Sequence, residues 1–90
     1  MLTIINDKEP SLEELQKLVG GYIEMHNIGN THLIVNEEAR IIGLPVNLKA
    51  MTECQKILNS NIRTNHLRIA DIYGDVVILK GKAKLTWLDY

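Results

Sequence analysis

The first candidates for chemistry in this 90-residue chain are polar and acidic residues that follow an alternating segment. Asn36, Glu37 and Glu38 stand together, and Asn47 comes eleven residues after Asn36. Amides and carboxylates at the end of a strand can accept hydrogen bonds from the hydroxyls or amines of a ligand. A helix that begins after Asn47 would also present free N–H groups to an anion. The alternative interpretation is a polar turn followed by a helix N-cap.

A second candidate is a polar stripe on one strand. Tyr22, Glu24 and His26 alternate with Ile23 and Met25, so the polar set faces outward. Such a stripe can stack against a base and bind a ribose. A solvated sheet face, or a subunit contact anchored by Tyr22, is the alternative. The predicted ligand-binding residues are Tyr22, Glu24, Asn36, Glu37 and Asn47.

Catalytic, metal and cofactor sites are not predicted. The chain has no phosphate-binding glycine loop and no hydrolase or zinc-protease motif. A hydrolase that uses Glu37 or Glu38 as general base remains a third alternative. His26 and His32 fall on neighbouring strands, but two histidines without a third ligand make a weak zinc site. Cys54, on the apolar stripe of a predicted helix, is expected to be a buried structural thiol.

Hydrophobic spacing and breaker residues predict the elements that hold these side chains. Ser11 and Glu14 form a capping box, and Gly20 with Gly21 ends the helix that follows. In the hairpin, Leu33 and Val35 are expected on the same core face as Ile23 and Met25. Residues 75–79 are apolar on both faces, which is typical of a central strand. The predicted strands are 2–5, 22–26, 31–36 and 75–79, and the predicted helices are 12–19 and 48–59.

Three further segments are less regular. Residues 41–42 are interpreted as the start of a short return strand and residues 67–72 as a strand. Residues 83–90 are either a last strand or a short helix. The predicted architecture is a single domain over 1–90 of the α+β class, a small, mainly antiparallel sheet covered by two helices.

Composition excludes several function classes. Ten Lys and Arg stand against eleven Asp and Glu, with no long basic run, so the chain does not resemble a nucleic-acid coat protein. No apolar run approaches the roughly 20 residues needed to span a bilayer, and the first residues lack a signal-peptide core. The thin aliphatic core, with Trp87, Leu88 and Tyr90 at the chain end, predicts a homo-oligomer, most simply a dimer.

Four segments together resemble a small family of unknown function that is common in tailed bacteriophages and other mobile elements. Its members show L-Q-x-L-V-G-G-Y-I-E, then N-E-E-G-x-L with L-P-x-N, and a terminal G-D-V-V strand. Ala39 stands where that family usually has glycine, so a turn there that requires positive φ would be strained. The matching segments are LQKLVGGYIE at 15–24, NEE at 36–38, LPVN at 44–47 and GDVVI at 74–78.

This resemblance implies a phage accessory protein that acts in the host bacterial cytoplasm. Small phage proteins of this sort often counter host defence. The expected function is therefore non-enzymatic binding of a small polar ligand, such as a nucleotide-derived immune signal. The alternative is an inhibitor that binds a host protein through an exposed sheet edge or the apolar chain end.

Overall fold

The computed structural model describes residues 1–86, in which short strands alternate with two helices. Trp87, Leu88 and Tyr90, on which the predicted dimer contact rests, lie outside the described residues. The strands are β1 (Leu2–Ile5), β2 (Ile23–Ile28), β3 (Thr31–Asn36) and β4 (Val76–Leu79), the helices are α1 (Leu12–Val19) and α2 (Leu48–Asn59), and a 3-10 turn spans Gly81–Ala83.

Local sequence signals set both ends of α1, as predicted. The Ser11 hydroxyl accepts from the Glu14 N–H, and the Glu14 carboxylate accepts from the Ser11 N–H, which completes the capping box. Gly20 ends the helix at φ 80°, a left-handed conformation that costs a side-chain-bearing residue about 1–2 kcal/mol. Gly21 and Tyr22 then connect the cap to β2.

The four strands form one mixed sheet in the order β1-β4-β3-β2. β2 pairs with β3 and β3 with β4 in antiparallel fashion, whereas β1 pairs with β4 in parallel. The α+β class is confirmed, and the sheet is mixed, although most of its pairings are antiparallel. The parallel pair joins strands from opposite ends of the chain. Local patterns carry no information about such a long-range pairing.

Each face of the sheet carries one helix, so the protein has two cores. On the α1 side, Leu15 and Val19 pack against Ile34 and Val77. The α2 core is separate and is built from Ala50, Cys54, Leu33, Ile72, Val76 and Ile78.

The predicted side-chain arrangement of the hairpin is therefore wrong in one respect. Met25 lies opposite Ile34 and both belong to the α1 side, whereas Leu33 belongs to the α2 side. Because β3 is buried on both faces, its consecutive apolar residues serve two cores rather than one. His26 lies opposite Leu33, so the polar stripe of β2 faces the α2 side.

Two predicted strands are absent from the described part of the chain. Residues 41–42 lie in turns, with Ile41 84% and Ile42 57% exposed. Residues 67–72 form no ladder and belong to no regular element. The Gln55 side chain accepts from the Ile69 N–H and donates to the Leu67 carbonyl, both at 2.9 Å. A side chain of α2 thus satisfies main-chain groups that a neighbouring strand would otherwise pair.

The segment after β4 is held by two side-chain acceptors. The Leu85 N–H donates to Nδ1 of His32 at 3.1 Å, and Glu9 accepts from the backbone and hydroxyl of Thr86. The 3-10 turn at Gly81–Ala83 accounts for the start of the region predicted as a strand or short helix. These contacts return the chain to the α1 side, where Ala83 and Leu85 are buried.

Acidification is expected to destabilise the protein through His32. Burial, and secondarily the charge of Lys84, lower the pKa of His32 from its ordinary value of 6.5. The unfolded chain then takes up the proton before the folded chain does. The stabilisation is present above pH 6.5 and is lost as the pH falls through the lower, folded-state pKa.

Urea denaturation between about pH 7.5 and pH 5 measures this effect. His32→Gln retains an oxygen acceptor for the Leu85 N–H but does not titrate, so its stability should depend less on pH than that of the wild type. His66→Gln replaces an exposed histidine and is the matched histidine substitution. Equal pH dependence for wild type and His32→Gln would contradict the prediction.

Candidate functional site

A groove of about 630 Å³ lies on the α2 side of the sheet, where β2 and β3 run beside residues 69–73. Its floor is apolar and includes Leu33, Val35 and Ile72. Leu33 and Ile72 belong to the α2 core, so the floor is part of the folded framework. An apolar floor with a few polar groups around it is the usual form of a small-molecule site.

The border of the groove is polar and mostly acidic. Glu24 and His26 come from β2, and their Oε2 and Nε2 atoms are 3.6 Å apart. Asp71 and Tyr73 come from the segment after α2, with the Tyr73 hydroxyl 3.5 Å from the Asp71 carboxylate. Arg40 adds one guanidinium group. The border can therefore accept hydrogen bonds at several carboxylate oxygens and bind an anion at one point.

A second depression of about 540 Å³ lies at the end of the sheet near the beginning of α2. Asn36 and Asn47 border it, together with exposed apolar side chains. These apolar residues are Met1, Ile42, Val46 and Leu48.

Asn47 holds three parts of the chain together. Its Oδ1 accepts from the Ala50 N–H at 3.0 Å, which makes it the N-cap of α2 as predicted. Its Nδ2 donates to the carbonyls of Met1 and Gly74, at 3.0 and 2.8 Å. The side chain is only 9% exposed. All its polar atoms are engaged within the protein.

Asn36, the last residue of β3, also joins separate parts of the chain. Its Nδ2 donates to the Val19 carbonyl at 3.2 Å, and its Oδ1 accepts from the Glu38 N–H at 2.8 Å. The first bond fastens the end of α1 to β3, and the second closes the turn after β3. With 6% exposure, the side chain offers little surface to a ligand.

The structure brings the five predicted ligand-binding residues together only in part. Glu24, Asn36 and Glu37 border the groove, whereas Asn36 and Asn47 border the second depression. Tyr22 borders neither; its side chain is 69% exposed, and its carbonyl accepts from the Glu37 N–H. Their role in binding stays a prediction.

Sequence reasoning missed three polar groups at the groove. Arg40 lies in a turn, Asp71 lies in the predicted strand 67–72, and Tyr73 follows it. No local motif marks these residues. Asp71 and Tyr73 reach the groove because the chain after α2 folds back over the sheet, and this return depends on Gln55 and Ile72.

The side chains that could support thiol or metal chemistry are those of Cys54, His26 and His32. Cys54 is buried, and burial, followed by the charge of Glu53, raises the pKa of its thiol to about 11. The structural-thiol interpretation fits this environment. His26 lies opposite Leu33 and therefore shares its face of the sheet. His32 precedes Leu33 in β3 and points to the other face, so the two histidines lie on opposite faces of the sheet. Across residues 1–86, no three His, Cys, Asp or Glu side chains are grouped to hold a metal ion.

The turn around Ala39 is unstrained. Within the described residues, only glycines have positive φ, so Ala39 adopts a backbone conformation open to any residue. Its N–H donates to the Asn36 carbonyl, and its side chain is buried. The strain expected for alanine at this position does not arise.

Comparisons with known proteins identify a family. Neither a curated protein nor a solved structure shows a significant match to the chain. None of the described helices is long and apolar enough to cross a membrane. A family described as a domain of unknown function, DUF3846, matches residues 2–87. The chain therefore belongs to the DUF3846 family.

Proposed function

We propose that this protein is a non-enzymatic binder of a small polar ligand, which it holds in the groove on the α2 side of the sheet. The groove carries this proposal, because its volume of about 630 Å³ lies within the range of small-molecule sites, roughly 300–1,000 Å³. Its floor of Leu33, Val35 and Ile72 can bury the flat body of a ligand. Its border supplies groups that orient the ligand.

The charge distribution favours a nucleotide-like ligand that carries few phosphates. Glu24, Glu37 and Asp71 can accept hydrogen bonds from ribose hydroxyls or base amino groups. Arg40 can pair with one phosphate group. Sequestration of a nucleotide-derived immune signal, by a phage accessory protein in the host bacterial cytoplasm, is the biological role that we propose for this chemistry.

The catalytic alternative has less support. Glu37 and Glu38 are exposed, whereas carboxylates that act as general bases are usually tuned by burial. The Cys54 thiol is buried with a raised pKa, which disfavours the thiolate needed for nucleophilic attack.

Calorimetric titration with adenosine, guanosine, their monophosphates and cyclic dinucleotides tests the proposal. For a probe that binds, Asp71→Ala should weaken affinity about tenfold or more, because a hydrogen bond to a charged group contributes roughly 1.5–3 kcal/mol. Ala70→Trp should also weaken binding, since Ala70 borders the groove and is exposed, so the indole can occupy the groove without opening a core.

Asp7→Ala is the matched control, because Asp7 is an exposed carboxylate outside the groove. It should bind as the wild type does. Unchanged affinity in both groove variants would show that the ligand binds outside the groove. No heat from any probe, together with no small molecule released from the purified protein in mass spectrometry, would overturn the proposal.

Direct binding of a host protein is the second candidate, and the second depression favours it. Ile42 and Leu48 are 57% and 71% exposed beside Met1 and Val46. Exposed apolar groups that adjoin one another often mark a protein-binding surface. Comparison of wild type with Leu48→Glu in pull-downs from a bacterial lysate separates this candidate from ligand binding, because Leu48 does not border the groove.

A further inference from the structure

β2 is an open edge of the sheet. It pairs with β3 on one side, and no other strand in residues 1–86 pairs with it. It has six residues, whereas β1 at the opposite edge has four. Proteins usually guard a long edge with lysine, proline or a bulge, because unpaired backbone groups invite another strand. The β2 sequence, IEMHNI, contains neither lysine nor proline.

The hairpin determines which backbone groups of β2 face outward. The Glu37 N–H donates to the Tyr22 carbonyl, so these two opposed residues form a hydrogen-bonded pair. In an antiparallel ladder such pairs alternate with non-bonded pairs. Glu24 and His26 therefore direct their backbone groups toward β3. Ile23, Met25 and Asn27 direct theirs toward the open edge.

We propose that β2 pairs antiparallel with β2 of a second copy, about a two-fold axis that passes through Met25. Met25 then lies opposite Met25 of the second copy, and Ile23 lies opposite Asn27. The outward backbone groups of these three residues complete the ladder on both sides. The two four-stranded sheets become one continuous sheet of eight strands.

Charge complementarity selects this register. With the axis at Met25, Glu24 lies opposite His26 of the second copy in a non-hydrogen-bonded pair, where side chains approach most closely. Within one chain these two side chains are already 3.6 Å apart, so the four groups would alternate in sign around the axis when the imidazoles are protonated.

The neighbouring symmetric registers are disfavoured. An axis at Glu24 places the two Glu24 carboxylates directly opposite one another, and an axis at His26 does the same for the two imidazoles. Like charges in that position destabilise a sheet, which applies to the carboxylates and, when they are protonated, to the imidazoles. Larger shifts leave fewer residues of β2 paired.

The pairing would also bring the two grooves together on one side of the joined sheet. Glu24 and His26 border the groove in each copy, and the two-fold axis stands perpendicular to the sheet. Each groove would then have Glu24 and His26 of the second copy beside its β2 border. The pairing itself does not depend on the proposed ligand.

Sedimentation velocity over a range of protein concentrations tests the pairing. The wild type should be a dimer, and Asn27→Pro should weaken the dimer at least tenfold, because proline removes an outward N–H while the bonds to β3 come from other residues. Asn27→Ala is the matched control and should stay dimeric. Circular dichroism shows whether Asn27→Pro remains folded. A wild-type monomer, or a dimer unaffected by a folded Asn27→Pro, would overturn the proposal.

Register-specific crosslinking gives a second test that does not use proline. An equal mixture of Glu24→Cys and His26→Cys chains should form a disulfide-linked dimer, because the two Cα atoms would lie about 4.5 Å apart. One native Glu24–His26 pair remains in that mixed dimer. Either variant alone places its cysteines on a diagonal at roughly 7–8 Å, which is too far for easy closure. Equal crosslinking of each variant alone and of the mixture would contradict the register. Cys54 is buried and should not compete.

Discussion

Replacement of Asn47 by alanine should lower the free energy of unfolding by about 3 kcal/mol. Loss of an N-cap costs roughly 1 kcal/mol, and removal of a donor from buried carbonyls costs roughly 1–3 kcal/mol. Asn47 fills both roles, since it caps α2 through Ala50 and donates to Met1 and Gly74. Urea denaturation followed by circular dichroism measures the change.

Asn47→Asp separates the two roles. Aspartate is as good an N-cap as asparagine, but its carboxylate cannot donate to the carbonyls of Met1 and Gly74. A carboxylate oxygen would instead face the two carbonyl oxygens and repel them. We therefore expect Asn47→Asp to be destabilised at least as strongly as Asn47→Ala. Wild-type stability in Asn47→Asp would show that capping is the whole contribution.

The same variants bear on the predicted ligand role of Asn47. If Asn47→Ala keeps its stability and loses a ligand that the wild type binds, the residue contacts the ligand rather than the fold. If it loses stability as expected and the folded fraction binds normally, the residue is structural. The engaged polar atoms of Asn47 favour the second outcome.

Substitution of Gly21 by valine should cost about 2–4 kcal/mol, because of a steric conflict and not because of a left-handed backbone. Gly20 has the positive φ, and Gly21 does not. A Cβ at Gly21 would lie 2.9 Å from Nδ2 of Asn36. That amide is buried and joined to Val19 and Glu38, so its displacement breaks both bonds and overpacks the junction, effects of roughly 1–3 kcal/mol each.

A double-mutant cycle isolates this cause. In an Asn36→Ala background the obstructing amide is gone, so Gly21→Ala should cost much less than it does in the wild type. Gly20→Ala is the comparison, because a Cβ there meets nothing within 4 Å and the cost comes from φ alone. Its cost of about 1 kcal/mol should be the same in both backgrounds. Equal costs for Gly21→Ala in both backgrounds would exclude the steric explanation.

Local signals alone determined both helices and the hairpin. The capping box at Ser11, the glycine at Gly20 and the N-cap at Asn47 each act through backbone groups within a few residues. Alternation marked β2, and the apolar run marked β4 as central. These features can be predicted from the sequence because the interactions that produce them span one turn of helix or one pair of strands.

Tertiary structure decided the pairing of β1 with β4, the division of β3 between two cores, and the groove. β1 and β4 are separated by most of the chain, so their parallel pairing depends on how the helices distribute between the two faces. Asp71 reaches the groove only because Gln55 satisfies the backbone of the preceding segment. Asn36 and Asn47 are polar in sequence, but the backbone groups that engage them lie up to 46 positions away. Burial and hydrogen-bond satisfaction are properties of the assembled chain, and spacing along the sequence does not encode them.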